Sequence, residues 1–154
     1  MTTVTVENYI AAPLEWAFEA FTDVEHAPDY VSSVRKIEMT TSGGFRLGTR
    51  WRETREIMGR IVTEEMEITA FERNHTYTIT NGSHGTRMDT QFSFEPSNAG
   101  TKVSVEFTLD PQSFSARLLS PIGWALAGKI REAIVDDLEG LKRAAEIRVL
   151  RAAS

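Results

Sequence analysis

In the stretch TRWRETREIMGR, residues Thr49 to Arg60, a glutamate and an arginine stand two positions apart. In an extended strand alternate side chains share a face, so Trp51, Glu53, Arg55 and Ile57 point the same way. Trp51 and Ile57 are core-type residues, which puts Glu53 and Arg55 on a face expected to be apolar. Taking an ion out of water costs several kcal/mol on an order-of-magnitude scale unless it is paired. A carboxylate and a guanidinium this close can meet the cost by pairing, or by holding a ligand between them. In a pocket, Glu53 has the chemistry of a general base or of an acceptor for a ligand hydroxyl, and Arg55 that of a group that polarises a carbonyl or steadies an enolate. If the strand lies at a rim, both charges reach water and the pair is ordinary surface.

Other reactive chemistry finds less support. There is no cysteine, which excludes disulfides, thiolate metal sites and cysteine nucleophiles. The histidines are His26, His75 and His84, without an HxH or HExxH pattern, so no metal site or other cofactor is expected. His84, in Asn-Gly-Ser-His-Gly, reads as a solvent-facing loop residue. No nucleophile elbow supports a Ser-His-Asp triad. Gly43-Gly44 and Gly48 precede no helix start and do not form a phosphate loop. The net charge is −5, and glutamates interrupt the local run of arginines from Arg46 to Arg60, so nucleic acid is not an expected partner.

The elements that position Glu53 and Arg55 follow from periodicity. Val4, Val6 and Ile10 alternate with Thr5, Glu7 and Tyr9 in a strand over Thr3–Ile10. Pro13 suits a helix start, and Leu14, Ala17, Phe18 and Phe21 form one helical stripe. Thr22-Asp23 breaks that helix. Asp23 is expected to cap a second, short one, interrupted by Pro28. Strands are then predicted at Val34–Thr41, Thr49–Met58, Ile61–Phe71, His75–Thr80, Thr86–Glu95 and Thr101–Leu109. Turns fall at Ser42-Gly43-Gly44, Gly59, Glu72-Arg73-Asn74, Asn81-Gly82-Ser83 and Pro96–Gly100. Such short connections favour an antiparallel meander. After Asp110-Pro111 the signal is helical, with Pro121 kinking or starting the helix. Ile130, Ile134, Leu138, Leu141 and Ala145 trace its apolar stripe, opposite Lys129, Glu132, Asp136, Glu139 and Arg143.

Composition fits one domain over residues 1–154: 41% hydrophobic and 25% charged, close to the globular average. The start has no signal-peptide pattern and no stretch approaches a membrane span, so a cytoplasmic protein without stable membrane insertion is the default expectation. A curved antiparallel sheet is the natural surface for the helix stripe. Toward the N-terminal half of the helix the stripe runs through Ala127, Leu126 and Gly123, mostly small. Small residues there leave a cavity if the sheet curves away, or let the backbones pack closely. Both outcomes are open at this level.

The order of elements, together with several short motifs, resembles the START-like, helix-grip superfamily called SRPBCC, in its polyketide cyclase/dehydrase type 2 branch. The resemblance rests on Ile10-Ala11-Ala12-Pro13 with Glu15-Trp16, and on Thr22-Asp23 with Pro28 and Tyr30, where the family usually has Trp. It extends to Gly48-Thr49-Arg50-Trp51, Gly59-Arg60, Gly100-Thr101-Lys102-Val103 and Leu141-Lys142 with Glu146. It implies an α+β helix-grip fold: a seven-stranded curved antiparallel sheet around a long C-terminal helix, two short helices after the first strand, and a pocket between sheet and helix. Members bind lipids, sterols, polyketides or hormones, and some are enzymes, so the fold does not select a reaction.

Within that frame Asn8, Met39, Trp51, Met66, Tyr77, Met88 and Thr90 point inward, with Trp124 on the helix flank, as candidate ligand-binding residues. Each also fits ordinary core. Inward methionines suit a loosely specific apolar pocket. The expected function is binding or carriage of a hydrophobic small molecule. The alternatives are a polyketide cyclase or dehydratase using Glu53 and Arg55, and a non-catalytic accessory protein acting through its surface, with Leu118–Trp124 as a partly exposed apolar stretch. Ligand identity, oligomeric state and pathway are not encoded in these patterns.

Overall fold

The computed structural model describes residues 1–83, 85–118 and 126–154. Pro121, Trp124 and His84, and with them most of the Leu118–Trp124 stretch, lie outside the described residues. The chain forms strand β1 (Thr2–Ile10), helix α1 (Leu14–Thr22), a 3₁₀ turn (Val24–His26) and helix α2 (Ala27–Tyr30). Strands β2 (Val34–Met39), β3 (Arg50–Ile57), β4 (Arg60–Glu72), β5 (Thr76–Ser83), β6 (Thr86–Ser97) and β7 (Gly100–Pro111) follow. Helices α3 (Phe114–Leu118) and α4 (Ala127–Ala153) complete it. The seven strands make one sheet in the order β1-β7-β6-β5-β4-β3-β2, every neighbour antiparallel. The expected meander is present, with β1 returning beside β7 and the short helices carrying the chain to the opposite edge.

Three local expectations differ. Asn81-Gly82-Ser83 is not a turn but the end of β5, paired with Met88, Arg87 and Thr86. The register is set by the aromatics: Tyr77 pairs with Phe92 and their rings stack at 4.8 Å. The turn moves on to Gly85, whose φ of 76° supplies the left-handed backbone that a tight hairpin requires. Asp23 makes no capping hydrogen bond. Its carboxylate instead meets His26 Nδ1 at 2.8 Å and receives Arg148 from α4 at 2.8 Å. The helical signal after Pro111 is divided between α3 and α4 among the described residues.

One end of the interior is an aromatic block. Phe18 and Phe21 of α1 meet Phe71, Tyr77, Phe92 and Phe94 of the sheet edge to face, with centroids 5.1–6.2 Å apart. Such pairs each add about 0.5–1.5 kcal/mol beyond their buried area. The C-terminal half of α4 closes on this block through Leu138, Ala144 and Ala145, all nearly inaccessible.

The opposite end is looser. Ile130 and Ile134 of α4 stay half-buried, as do Val62, Ile79, Met88, Thr90, Phe107 and Leu109 of the sheet. Ala127, Ile130 and Ile134 pack against the core while staying only partly buried.

Helix α4 is seated on edge strand β1 by side chains that satisfy strand backbone. Arg131 donates to the Thr5 carbonyl at 2.8 Å, Lys142 to the Tyr9 carbonyl at 3.0 Å, and Glu146 accepts from the Ala11 amide at 2.8 Å. These contacts blunt an edge that would otherwise offer unpaired backbone groups. Gly140 sets the seat of the helix against α2, because a Cβ there would overlap the Tyr30 carbonyl. Gly140→Ala is expected to cost about 1–3 kcal/mol through overpacking, lowering the thermal midpoint by several degrees. Gly128→Ala, where a Cβ meets nothing within 4 Å, is expected to leave the midpoint unchanged or raise it slightly. Calorimetry on the two variants checks the pair; equal behaviour would contradict the close approach.

Candidate functional site

Glu53 and Arg55 do share the inner face of β3, and they sit where the closed and loose ends of the interior meet. Arg55 Nε donates to Glu53 Oε2 at 2.9 Å, and Arg55 NH2 donates to Asp137 Oδ2 on α4 at 3.0 Å. The Arg55, Glu53 and Asp137 side chains are 19%, 12% and 26% exposed. The other carboxylate oxygens are also engaged. Trp51 Nε1 donates to Glu53 Oε1 at 3.1 Å, and the Ser33 hydroxyl donates to Asp137 Oδ1 at 2.8 Å. Burial works against the charge on Arg55, but Asp137 and Glu53 outweigh it and hold the guanidinium above its ordinary pKa. It is permanently cationic.

A third carboxyl completes the cluster. Glu64 of β4 is the register partner of Glu53, half-buried, and accepts a hydrogen bond from Asn81 Nδ2. Burial raises its pKa above the ordinary carboxylate value, and the neighbouring charge of Glu53 raises it further. Arg55 and the Asn81 hydrogen bond pull the other way without cancelling the rise. Glu64 thus holds its proton more tightly than a free glutamate does.

Residue spacing carried both partners that the strand pattern alone did not single out. The β3–β4 turn at Met58-Gly59 pairs Ile57 with Arg60, and the same register pairs Glu53 with Glu64. On α4, Ile130, Ile134, Asp137 and Leu141 follow one another at spacings of four, three and four, so Asp137 occupies an apolar slot of the stripe. It is the helical counterpart of the anomaly in β3.

The remaining candidates fall into groups. Met39, Trp51 and Met66 are opposite one another across β2, β3 and β4, next to the ion cluster. Trp51 and Met66 are buried, at 2% and 8% exposure. Met88 pairs with Asn81, and Thr90 with Ile79, on the looser part of the face. Tyr77 is not with them: it lies fully enclosed in the aromatic block, its hydroxyl 3.5 Å from the Phe21 carbonyl. Burial pushes its phenol far above the ordinary value of 10. Asn8 stands on edge strand β1, donating to Glu139 of α4 at 2.9 Å and accepting from the Tyr9 amide at 2.8 Å. Trp124 lies outside the described residues. Among the described residues no group of three His, Cys, Asp or Glu side chains is arranged to hold a metal ion, and no helix is long and apolar enough to cross a membrane.

The raised pKa of Glu64 has a consequence for stability. The folded chain holds this proton more tightly than the unfolded chain, so between the ordinary 4.5 and the raised value the fold loses stability as pH rises. Glu64→Gln removes that loss and keeps an acceptor for Asn81. The variant is expected to melt higher than the parent at pH 8, with the gap shrinking as pH falls through 4.5. Paired melting curves from pH 4 to 8 check the sign; a gap that widens toward acid would contradict it.

Comparison with known proteins places this arrangement. Residues 1–146 match the family described as polyketide cyclase/dehydrase and lipid transport. None of the curated protein sequences matches the chain. Among solved structures, the fold is similar to the TTHA0849 protein from Thermus thermophilus, with a TM-score of 0.75 at 24% identity, covering 99% of this chain and 100% of that one. It is similar to a START superfamily protein from Mycobacterium smegmatis, with a TM-score of 0.74 at 18% identity over 94% and 98% of the chains. The Zhui aromatase/cyclase from Streptomyces sp. R1128 gives a TM-score of 0.73 at 17% identity over 96% and 95%. At these identities the structural likenesses speak for the fold. With a family match across nearly its whole length and a helix-grip sheet of seven strands around its last helix, the chain belongs to the polyketide cyclase/dehydrase and lipid transport family.

Proposed function

We propose that the protein binds an apolar small molecule, lipid-, polyketide- or aromatic-like, between the sheet and the N-terminal half of α4. One observation carries the reading. The inner-face side chains Ile79, Met88, Thr90, Phe107 and Leu109 stay partly exposed on the face that the helix crosses, while Tyr77 and Phe94 of the same face are buried. Apolar surface left open on a concave face, with a few polar groups at one border, is the usual composition of a small-molecule site. Met39, Met66 and Met88 give that face adaptable side chains, which suits a ligand recognised by shape and polarity more than by a fixed set of contacts.

Carriage is favoured over turnover because the two groups with the most obvious chemistry are committed to each other. Glu53 has both oxygens engaged, by Trp51 and Arg55, and Arg55 bridges to Asp137. A cyclase or dehydratase reading has one observation in its favour: Glu64 is a half-buried carboxyl with a raised pKa in the same cluster, the property wanted of a general acid. In that reading Glu64 moves the proton, and Arg55, oriented by Glu53, donates to the substrate carbonyl.

Native mass spectrometry of freshly purified protein, followed by solvent extraction, tests the binding reading. An added mass in the range of a small apolar molecule is expected, extractable into organic solvent. Met88→Trp, which fills the looser face, is expected to lose that mass while keeping its circular dichroism spectrum. Parent protein that carries no extractable molecule and binds no apolar probe would overturn the proposal.

A further inference from the structure

We infer that the site selects uncharged, hydrogen-bond-donating ligands and rejects carboxylates, with Glu64 as the specificity-determining residue; this rests on the binding reading above. An arginine at the border of an apolar pocket ordinarily suggests a carboxylate ligand, because the guanidinium fork matches a carboxylate. Here the guanidinium already has two carboxylate partners. Arg55 faces Glu53 through Nε at 2.9 Å and Asp137 through Nη2 at 3.0 Å. Trp51 and Ser33 lock the far oxygens of those same carboxylates. A ligand carboxylate would have to compete with two half-buried acids for that one cation.

The polar group offered to the open face is Glu64 instead. Its Oε2 accepts from Asn81, and its Oε1 makes no hydrogen bond among the described residues. Glu64 and Glu53 are direct cross-strand partners, so one guanidinium is shared among Glu53, Asp137 and Glu64. The border of the site carries an excess of negative charge when Glu64 is ionised, and a carboxyl O–H donor when it is not. Burial raises the pKa of Glu64 and the charge of Glu53 adds to the rise, and Arg55, shared with two other carboxylates, does not cancel it. In either state a hydroxyl, phenol or amide on the ligand finds a partner. A ligand carboxylate meets repulsion from the two carboxylates that share Arg55, and from Glu64 when it is ionised, in a partly desolvated place where charges interact more strongly than in water.

A matched pair of probes isolates the charge. 2-Naphthamide and 2-naphthoate have nearly the same shape and differ in charge at pH 7.5. Each is titrated against protein loaded with the neutral fluorescent probe N-phenyl-1-naphthylamine. The parent is expected to bind the amide at least about tenfold more tightly than the carboxylate, and Glu64→Gln is expected to narrow that ratio to roughly threefold or less, a size in keeping with one charge pair at a partly buried site. Carboxylate binding as tight as the amide in the parent overturns the inference while leaving the binding reading standing. A tenfold ratio unchanged by Glu64→Gln overturns the role of Glu64. Absence of any N-phenyl-1-naphthylamine binding overturns the binding reading itself, and the inference with it. Circular dichroism of Glu64→Gln confirms that the comparison is between folded proteins.

Discussion

Arg55 between Glu53 and Asp137 is the interaction on which the rest of the architecture turns. Helix α4 is fastened along one side to edge strand β1, where Arg131, Lys142 and Glu146 satisfy strand backbone groups. On its other side it is tied to the far half of the sheet through Asp137, which receives Arg55 from β3 and Ser33 from the segment leading into β2. A helix fastened along one edge alone could settle onto the sheet or swing away from it. Fastened on both sides, it spans the concave face at a fixed height. A buried ion pair is a weak source of stability, since desolvation offsets most of the attraction. Its value here is geometric, because directional bonds fix a spacing that apolar contact would not.

That spacing divides the interior. Toward the C-terminal half of α4, Phe18, Phe21, Tyr77 and Phe94 are buried against one another. Toward the N-terminal half, the facing side chains remain partly open. The ions lie at the boundary, where their side chains are only 12–26% exposed. Further into the aromatic block, three charges would have no access to solvent; further toward the rim, screening by water would weaken the tie. The same placement brings Glu64 beside the open apolar surface. In the proposed binding reading, the bonds that hold the helix up also occupy the cation that would otherwise attract an acidic ligand.

Much of the fold was legible because it is written in periodicity. Alternation in Val103, Val105 and Phe107 and the stripe from Ile130 to Ala145 each follow from one element burying one face. What failed was local and had tertiary causes. Asn81-Gly82 has strong turn character, yet stacking of Tyr77 on Phe92 sets the register and carries β5 past it to Gly85. Asp23 has a capping type, but Arg148 reaches it from the distant end of the chain. The site was half legible. Glu53 and Arg55 stood out as charges on an apolar face, whereas Glu64 and Asp137 required combining two elements, a hairpin register for one and a helical slot for the other. Asn8 has the right type and face, but its position on the edge strand gives its amide to Glu139. Strand alternation assigns a face and carries no information on the position of a strand within the sheet.

A double-mutant cycle between Arg55 and Asp137, read by denaturant unfolding of Arg55→Met, Asp137→Asn and the double variant, tests whether the guanidinium is committed to the helix. A coupling free energy of about 1 kcal/mol or more is expected, since each single change leaves the other group half-buried without its partner. Additive effects, within about 0.3 kcal/mol, would mean that Arg55 does not tie the sheet to α4 and is free to meet a ligand, contradicting the account.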